Sequence, residues 1–244
     1  MTTSSNVAVG AALLALGIAV GGYLAGDGFA RARTGDRTVT VRGVSEREAK
    51  ADLAIWPLRL VVADEDLARA NATLERSVQQ TREFLTAQGL AGAGTEVTLQ
   101  EFSVQDNRAN GGGDQGIRYV IRQTLVVRST RVDVVQTASQ RVPELVRAGV
   151  VLSSGQEYGG GGPTFVFTGL NALKPPMIKE ATARAREGAE QFASDSRSAL
   201  TGIRRATQGV FEIRPRDQAQ GISEESQLTK RVRVVTTVEY GLRD

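Results

Sequence analysis

Two hydrophobic patterns divide the chain. From Thr2 to Gly26 no side chain is charged, and Val7 to Leu24 is almost wholly Ala, Val, Leu, Ile and Gly. A bilayer core of about 30 Å takes roughly 20 such residues in a helix, so the run predicts one N-terminal transmembrane helix over about 7–26. A polar linker follows around Asp27 to Asp36, and the pattern then becomes that of a folded body. Thr38-Val-Thr-Val-Arg42 alternates as a half-buried strand does, and Gly43 with the charged run to Asp52 is expected to interrupt it. Leu53 to Ala63 is a longer apolar, β-branched run whose Trp56-Pro57 points to an edge position or a bulge. Asp64-Glu65-Asp66 supplies cap candidates for a helix with Leu67, Ala70, Leu74, Val78 and Leu85 on one stripe, stopped by Gly89. Strands at Thr95 to Gln105 and Ile117 to Arg128 form a hairpin around the glycine-rich loop from Asn107 to Gly116.

From Thr164 onward the chain repeats the order of elements of Leu53 to Arg128, and one helix lies between the two copies. A helix reads from about Arg131 to Ala148, with Val132, Val135, Val142, Leu145 and Val146 inward and Pro143 as a kink or split. A short strand at Thr164 to Gly169 leads to a helix from about Asn171 to Ser198, its regular part starting at or near Pro175. Strands at Ala206 to Arg214 and Thr229 to Tyr240 close the chain. The repeat rests on element order alone, with no residue identity behind it. The expected fold is α+β, with mainly antiparallel sheet, helices on one face and two strand–helix–strand–strand units, preceded by the transmembrane helix. Residues 1–36 then form anchor and linker, and 37–244 the body.

The apolar segment admits two other readings. Ala30-Arg31-Ala32 has the small-x-small spacing of a signal-peptidase site, but a signal peptide's apolar region is usually about 7–15 residues and follows a basic one, which is missing here. A buried core helix is the third reading. Gly10, Gly17, Gly21 and Gly22 offer a helix–helix contact face, although glycine is also simply common in spanning helices. Arg31, Arg33 and Arg37 follow the segment and nothing basic but the terminal amine precedes it, so the positive-inside rule by itself keeps the body cytoplasmic.

Composition removes most familiar chemistry. The chain has neither cysteine nor histidine, which excludes thiol nucleophiles, Ser-His and Cys-His pairs, and thiolate or imidazole zinc sites. With 41% hydrophobic and 23% charged residues the balance is globular. Net charge is only +3, the bases are mostly arginine, and lysine occurs only at Lys50, Lys174, Lys179 and Lys230. Arg118, Arg122 and Arg128 share parity on one expected strand, and Arg231 and Arg233 on another, a possible anion-binding face for a lipid headgroup or polyanion. The plainer alternative is a solvated sheet face with acidic neighbours or a subunit contact, and 5% aromatic residues argue against nucleic acid. Gly111–Gly113 and Gly159–Gly162 lead into no Lys-Ser or Lys-Thr, so neither reads as a phosphate cradle. Asp64, Glu65 and Asp66 fit helix capping, while Asp217, Glu224 and Glu225 fall in a polar connector. Asn71-Ala-Thr73 matches a glycosylation acceptor inside an expected helix, where chance explains it better. No catalytic residue, cofactor or metal site is assigned.

Longer runs carry a resemblance. Thr38-Val-Thr-Val-Arg-Gly-Val-Ser-Glu-Arg-Glu48, Lys50-Ala-Asp-Leu-Ala-Ile-Trp-Pro-Leu58, Leu170-Asn-Ala-Leu-Lys-Pro-Pro-Met-Ile-Lys-Glu-Ala-Thr182, Phe192-Ala-Ser-Asp-Ser196 and Gln208-Gly-Val-Phe-Glu-Ile213 closely resemble the SIMPL-domain family, in its bacterial branch with an N-terminal hydrophobic segment. The resemblance covers about Arg37 to Leu242. It implies an exported, non-enzymatic envelope protein, single-pass in the inner membrane with its body in the periplasm. It also implies homo-oligomers, ring-like or channel-like in some members, and a link to oxidative or envelope stress. No ligand and no catalytic residue carries over. Export conflicts with the flanking arginines, and we adopt export because the N-terminal tail is short and carries no basic side chain. The alternatives are a binding module for anionic lipid or polyanion, and a cleaved, secreted form of the same domain.

Overall fold

The computed structural model describes residues 14–28, 37–109, 116–153 and 161–243. The linker with Arg31 and Arg33, the candidate cleavage site at Ala30–Ala32, Gly10, and the runs Gly111–Gly113 and Gly159–Gly160 lie outside them. Helix α1 covers residues 14–28, and among the described residues no helix is long and apolar enough to cross a membrane. The expected span of about 7–26 begins before the described residues. Leu14, Leu16, Ile18, Val20, Tyr23 and Leu24 of α1 are all 51–74% exposed.

The chain divides into two compact units. Unit 1 comprises Met1–Ser45, Pro176–Val210 and Val234–Asp244; unit 2 comprises Glu46–Pro175 and Phe211–Arg233. Strand β1 (Thr38–Lys50), helix α5 (Leu170–Asp195) and strand β8 (Thr229–Arg243) each contribute residues to both.

Unit 2 contains an antiparallel sheet in the order β3-β4-β2-β5, from β2 (Leu53–Asp64), β3 (Thr95–Asp106), β4 (Tyr119–Ser129) and β5 (Thr164–Val166). Register places Trp56 opposite Val127, Leu58 opposite Leu125 and Val62 opposite Ile121, so strand alternation puts these side chains on one face. They join one core with Ala70, Leu74 and Leu85 of α2 (Leu67–Ala87), Val132 and Val135 of α3 (Val132–Gln140) and Leu145 of α4 (Pro143–Arg147). Each large side chain fully buried there contributes about 1.5–3 kcal/mol. The Asp66 carboxylate caps α2 by accepting from the Arg69 amide at 2.9 Å, and Gly89, with φ +78°, turns the chain out of it. Pro143 splits the second expected helix into α3 and α4, as its missing amide hydrogen requires.

Pro57 is only partly an edge residue. On one side it pairs with Val126 of β4; on the other, pairing to β5 stops at Ile55, and the chain reconnects where the Ser153 amide donates to Arg59 O and the Val61 amide to Val151 O. Alternate strand residues direct their amides to the same side, so Pro57 sits where no donor is asked of it.

Unit 1 is built differently. Its strands are ordered β1-β8-β6, with β6 (Ala199–Gln208) antiparallel to β8. The α5 residues Ala181, Ala185, Ala189 and Ala193 are buried at four-residue spacing, one small-residue face of a helix. Ala185 and Ala189 pack with Val39, Val238 and Tyr240.

Several expectations are corrected here. Gly43 does not end the first strand: β1 runs on to Lys50. A Cβ on Gly43 would lie 1.8 Å from Ala181 O and 2.5 Å from the Ala185 amide, so glycine is what lets helix backbone rest on strand backbone. Helix α5 starts at Leu170, within one residue of the expected Asn171, but it is regular from there rather than from Pro175 and carries both prolines inside. It stops at Asp195 rather than Ser198 in a turn where Arg197 takes φ +54° and the Ser198 amide donates to Ala193 O at 2.9 Å. The strand expected at Ala206 to Arg214 is two strands, β6 and β7 (Glu212–Pro215), parted at Gly209, where a Cβ would stand 2.8 Å from Val235 O. The expected second unit therefore has one strand too many, and its first strand, β5, pairs with β2 in the other sheet.

Candidate functional site

All five candidate arginines belong to unit 2, but the four that lie on strands are split between two sheets. Arg122 and Arg128 lie on β4, on the face turned from the α2 core, opposite Val61 and Ile55 of β2. Six residues of strand set them about 20 Å apart. Arg118 lies just before β4 and is engaged locally. Its Nε and Nη2 donate to Asp106 Oδ2 at 3.2 and 3.1 Å, and its guanidinium lies 4.7 Å from the centre of the Tyr119 ring. That hydrogen-bonded pair holds the Asp106 carboxyl below its ordinary range and raises Arg118. Arg122 Nη1 donates to Gln105 Oε1 at 3.2 Å.

Arg231 and Arg233 stand on β8 opposite Arg214 and Glu212 of β7. Arg214 pairs with Glu212, and Arg233 Nε lies 3.3 Å from Glu46 Oε1, close enough for charge attraction but without hydrogen-bond geometry. These strands carry a mixture of charges in which most guanidinia have acidic neighbours. The five residues form no single basic face.

The structure does gather a different set. The β3–β4 register slips between Gln100 opposite Thr124 and Ser103 opposite Arg122, so Glu101 and Phe102 form a bulge in β3. Glu101 adopts φ +51°, a backbone conformation uncommon for a side chain with a Cβ. Its Oε2 accepts from the hydroxyl of buried Thr124 at 3.0 Å. Beside the bulge is a hollow of ≈ 200 Å³ whose lining includes Arg59, Val61, Glu101, Phe102, Arg122 and Thr124 together with Ser103 and Ser153. Arg59 is directly opposite Thr124 and therefore a diagonal neighbour of Arg122, at about 7–8 Å between such positions.

A second feature is a wholly buried lysine. Lys230 Nζ lies 2.7 Å from Glu224 Oε1 and also donates to Glu224 O, tying β8 to the connector before it. That connector is fastened further where the Ala51 amide donates to Leu228 O and the Phe165 amide to Glu225 O, both at 2.8 Å. The signal was readable, because Lys230 occupies the register of Val232, Val234 and Val238, the inward positions of β8. The hollow left no such signal, since a bulge shifts register without altering composition. Among the described residues no group of three or more acidic residues is placed to hold a metal ion.

A family model described as SIMPL, a protein of unknown function (DUF541), matches residues 39–240. The chain belongs to the SIMPL family. No curated protein matches it. The SIMPL match runs from β1 into β8 and includes the bulge, the hollow and Lys230, while α1 lies before it.

Proposed function

We propose that this SIMPL protein is held in the inner membrane by its N-terminal helix, with a non-catalytic body in the periplasm that associates with further copies of itself. The observation that carries the reading is α1, whose apolar side chains remain exposed to the extent expected of a helix that finds its partner in lipid. Self-association is supported by the sheet edges. β3 is the last strand of its sheet, with Leu99, Phe102 and Val104 exposed and the acids Glu96 and Glu101 along it. β6 ends the other sheet and carries Arg204 and Arg205 with exposed Ile203. Unpaired edges of opposite charge favour β3 of one copy adding to β6 of the next over either edge pairing with itself.

The absence of cysteine makes topology directly testable. Full-length protein carrying Ala87→Cys, an exposed position on α2, is expected to react with a membrane-impermeant maleimide in intact spheroplasts. Labelling only after lysis overturns the periplasmic placement, and release of the chain by alkaline carbonate overturns the anchor. In mild detergent the chain should sediment as an oligomer that Leu99→Lys dissociates. A monomer at high concentration overturns self-association.

A further inference from the structure

The hollow beside the Glu101–Phe102 bulge has a charge pattern that a simple anion does not answer. Two guanidinium-bearing residues, Arg59 and Arg122, line it together with the carboxylate of Glu101. One Glu101 oxygen, Oε2, already accepts from Thr124, so the carboxylate is oriented and still has acceptor capacity at Oε1. Phe102 and Val61 supply an apolar wall, and Phe102 is 57% exposed. A polyphosphate or polysaccharide anion would bring negative charge against Glu101, and ≈ 200 Å³ accommodates a small molecule rather than a chain. The complement is a carboxylate that both arginines can reach, an ammonium within reach of Glu101 and an apolar group against Phe102.

The geometry points to this hollow as a binding site for a zwitterionic small molecule of the α-amino acid class, with an apolar side chain. The bulge is what assembles it. In a regular ladder the extra residue would be missing, and Glu101 and Phe102 would not both stand between Gln100 and Ser103. The site goes beyond the anchoring and assembly proposed above but shares Glu101 and Phe102 with the β3 edge, so the same titration on Leu99→Lys, which leaves every lining residue in place, separates binding from assembly.

Titration calorimetry on the full chain in detergent tests it, with L-leucine as the probe and 4-methylpentanoate and 3-methylbutylamine as its two halves. Saturable heat with leucine is expected, with each half binding at least ten-fold more weakly. Glu101→Gln and Arg122→Gln should each weaken leucine at least ten-fold, and Phe102→Ala should weaken leucine more than glycine. Unchanged circular dichroism and sedimentation would show that the variants keep their fold and assembly. No heat with leucine or glycine overturns the assignment. So does 4-methylpentanoate binding as tightly as leucine and indifferent to Glu101→Gln, which would make the hollow a plain carboxylate site.

Discussion

In unit 2, helix α2 meets its sheet across Trp56, Leu58, Leu60, Ile121 and Leu125, side chains whose volume fills the space between backbones. In unit 1, helix α5 meets β1 through Ala181, Ala185 and Gly43, where almost no side chain intervenes. The same task, seating a helix on strands, is done in one place by bulk and in the other by its absence. The two solutions fail in opposite directions. A large core loses stability when atoms are removed and cavities open, whereas a backbone-on-backbone contact loses it when atoms are added.

Trp56→Ala should show the largest effect, about 3–5 kcal/mol of lost stability, because it empties the most voluminous buried position of unit 2. Urea unfolding followed by circular dichroism measures it, and a loss under about 1 kcal/mol would mean that the bulky core is not what holds α2. Gly43→Ala adds one methyl group in unit 1 and should still cost about 1–3 kcal/mol, since its carbon meets helix backbone. Trp56, the chain's single tryptophan, is a fluorescent reporter of unit 2 that can be followed beside circular dichroism in that variant. A neutral Gly43→Ala would remove the contrast between the units.

Lys230 sharpens the comparison, being a charged side chain wholly buried in unit 2. Glu224→Gln leaves its ammonium with neutral acceptors only and should cost about 1–2 kcal/mol, less than a fully buried pair because Glu224 is partly exposed. Lys230→Met, apolar and of similar length, should lie within about 1 kcal/mol of the parent. The order of the two variants in thermal melts is the test, and the reverse order would show that the pair itself is the stabilising element. The smallest effect concerns acid. Hydrogen bonds from Arg118 and Arg69 hold Asp106 and Asp64 below the ordinary value of 3.8. Each therefore binds its proton at lower pH when folded than when unfolded, and its stabilisation is complete above about pH 4 and disappears as pH falls through the folded value. Asp106→Asn should narrow the gap between melting temperatures at pH 7 and pH 3; an unchanged gap would mean that the pair contributes no acid sensitivity.

The sequence was most legible where local rules and packing agree. From Leu53 to Ser129 the alternation of β2, the Asp66 cap, the Gly89 stop and the β3–β4 hairpin all appear in the expected order. It misled where one residue type serves two purposes. Gly43 reads as a strand breaker but is a close-approach residue, and which of the two it is depends on α5, well over a hundred positions away. Arg197 ends α5 in a conformation usually left to glycine, so nothing in the residue types marked the stop. Strand parity was legible for Arg122 and Arg128 on β4 and for Arg231 and Arg233 on β8, while Arg118 falls just outside β4, and parity carries no information about which sheet a strand joins. Arg122 is the one candidate that also lines the hollow; its companions there, Glu101 and Phe102, depend on a register slip that periodicity does not record.

That slip has a genetic meaning. Relative to a regular ladder, β3 contains a single inserted residue opposite Gln123, so the difference between a strand with the hollow and one without it is a single in-frame codon. Deleting that codon leaves Thr95–Gln100 and the return strand β4 with their pairing intact while removing one of the two residues that build the wall. A lineage can thus gain or discard this feature in one mutational event without renegotiating the rest of the hairpin.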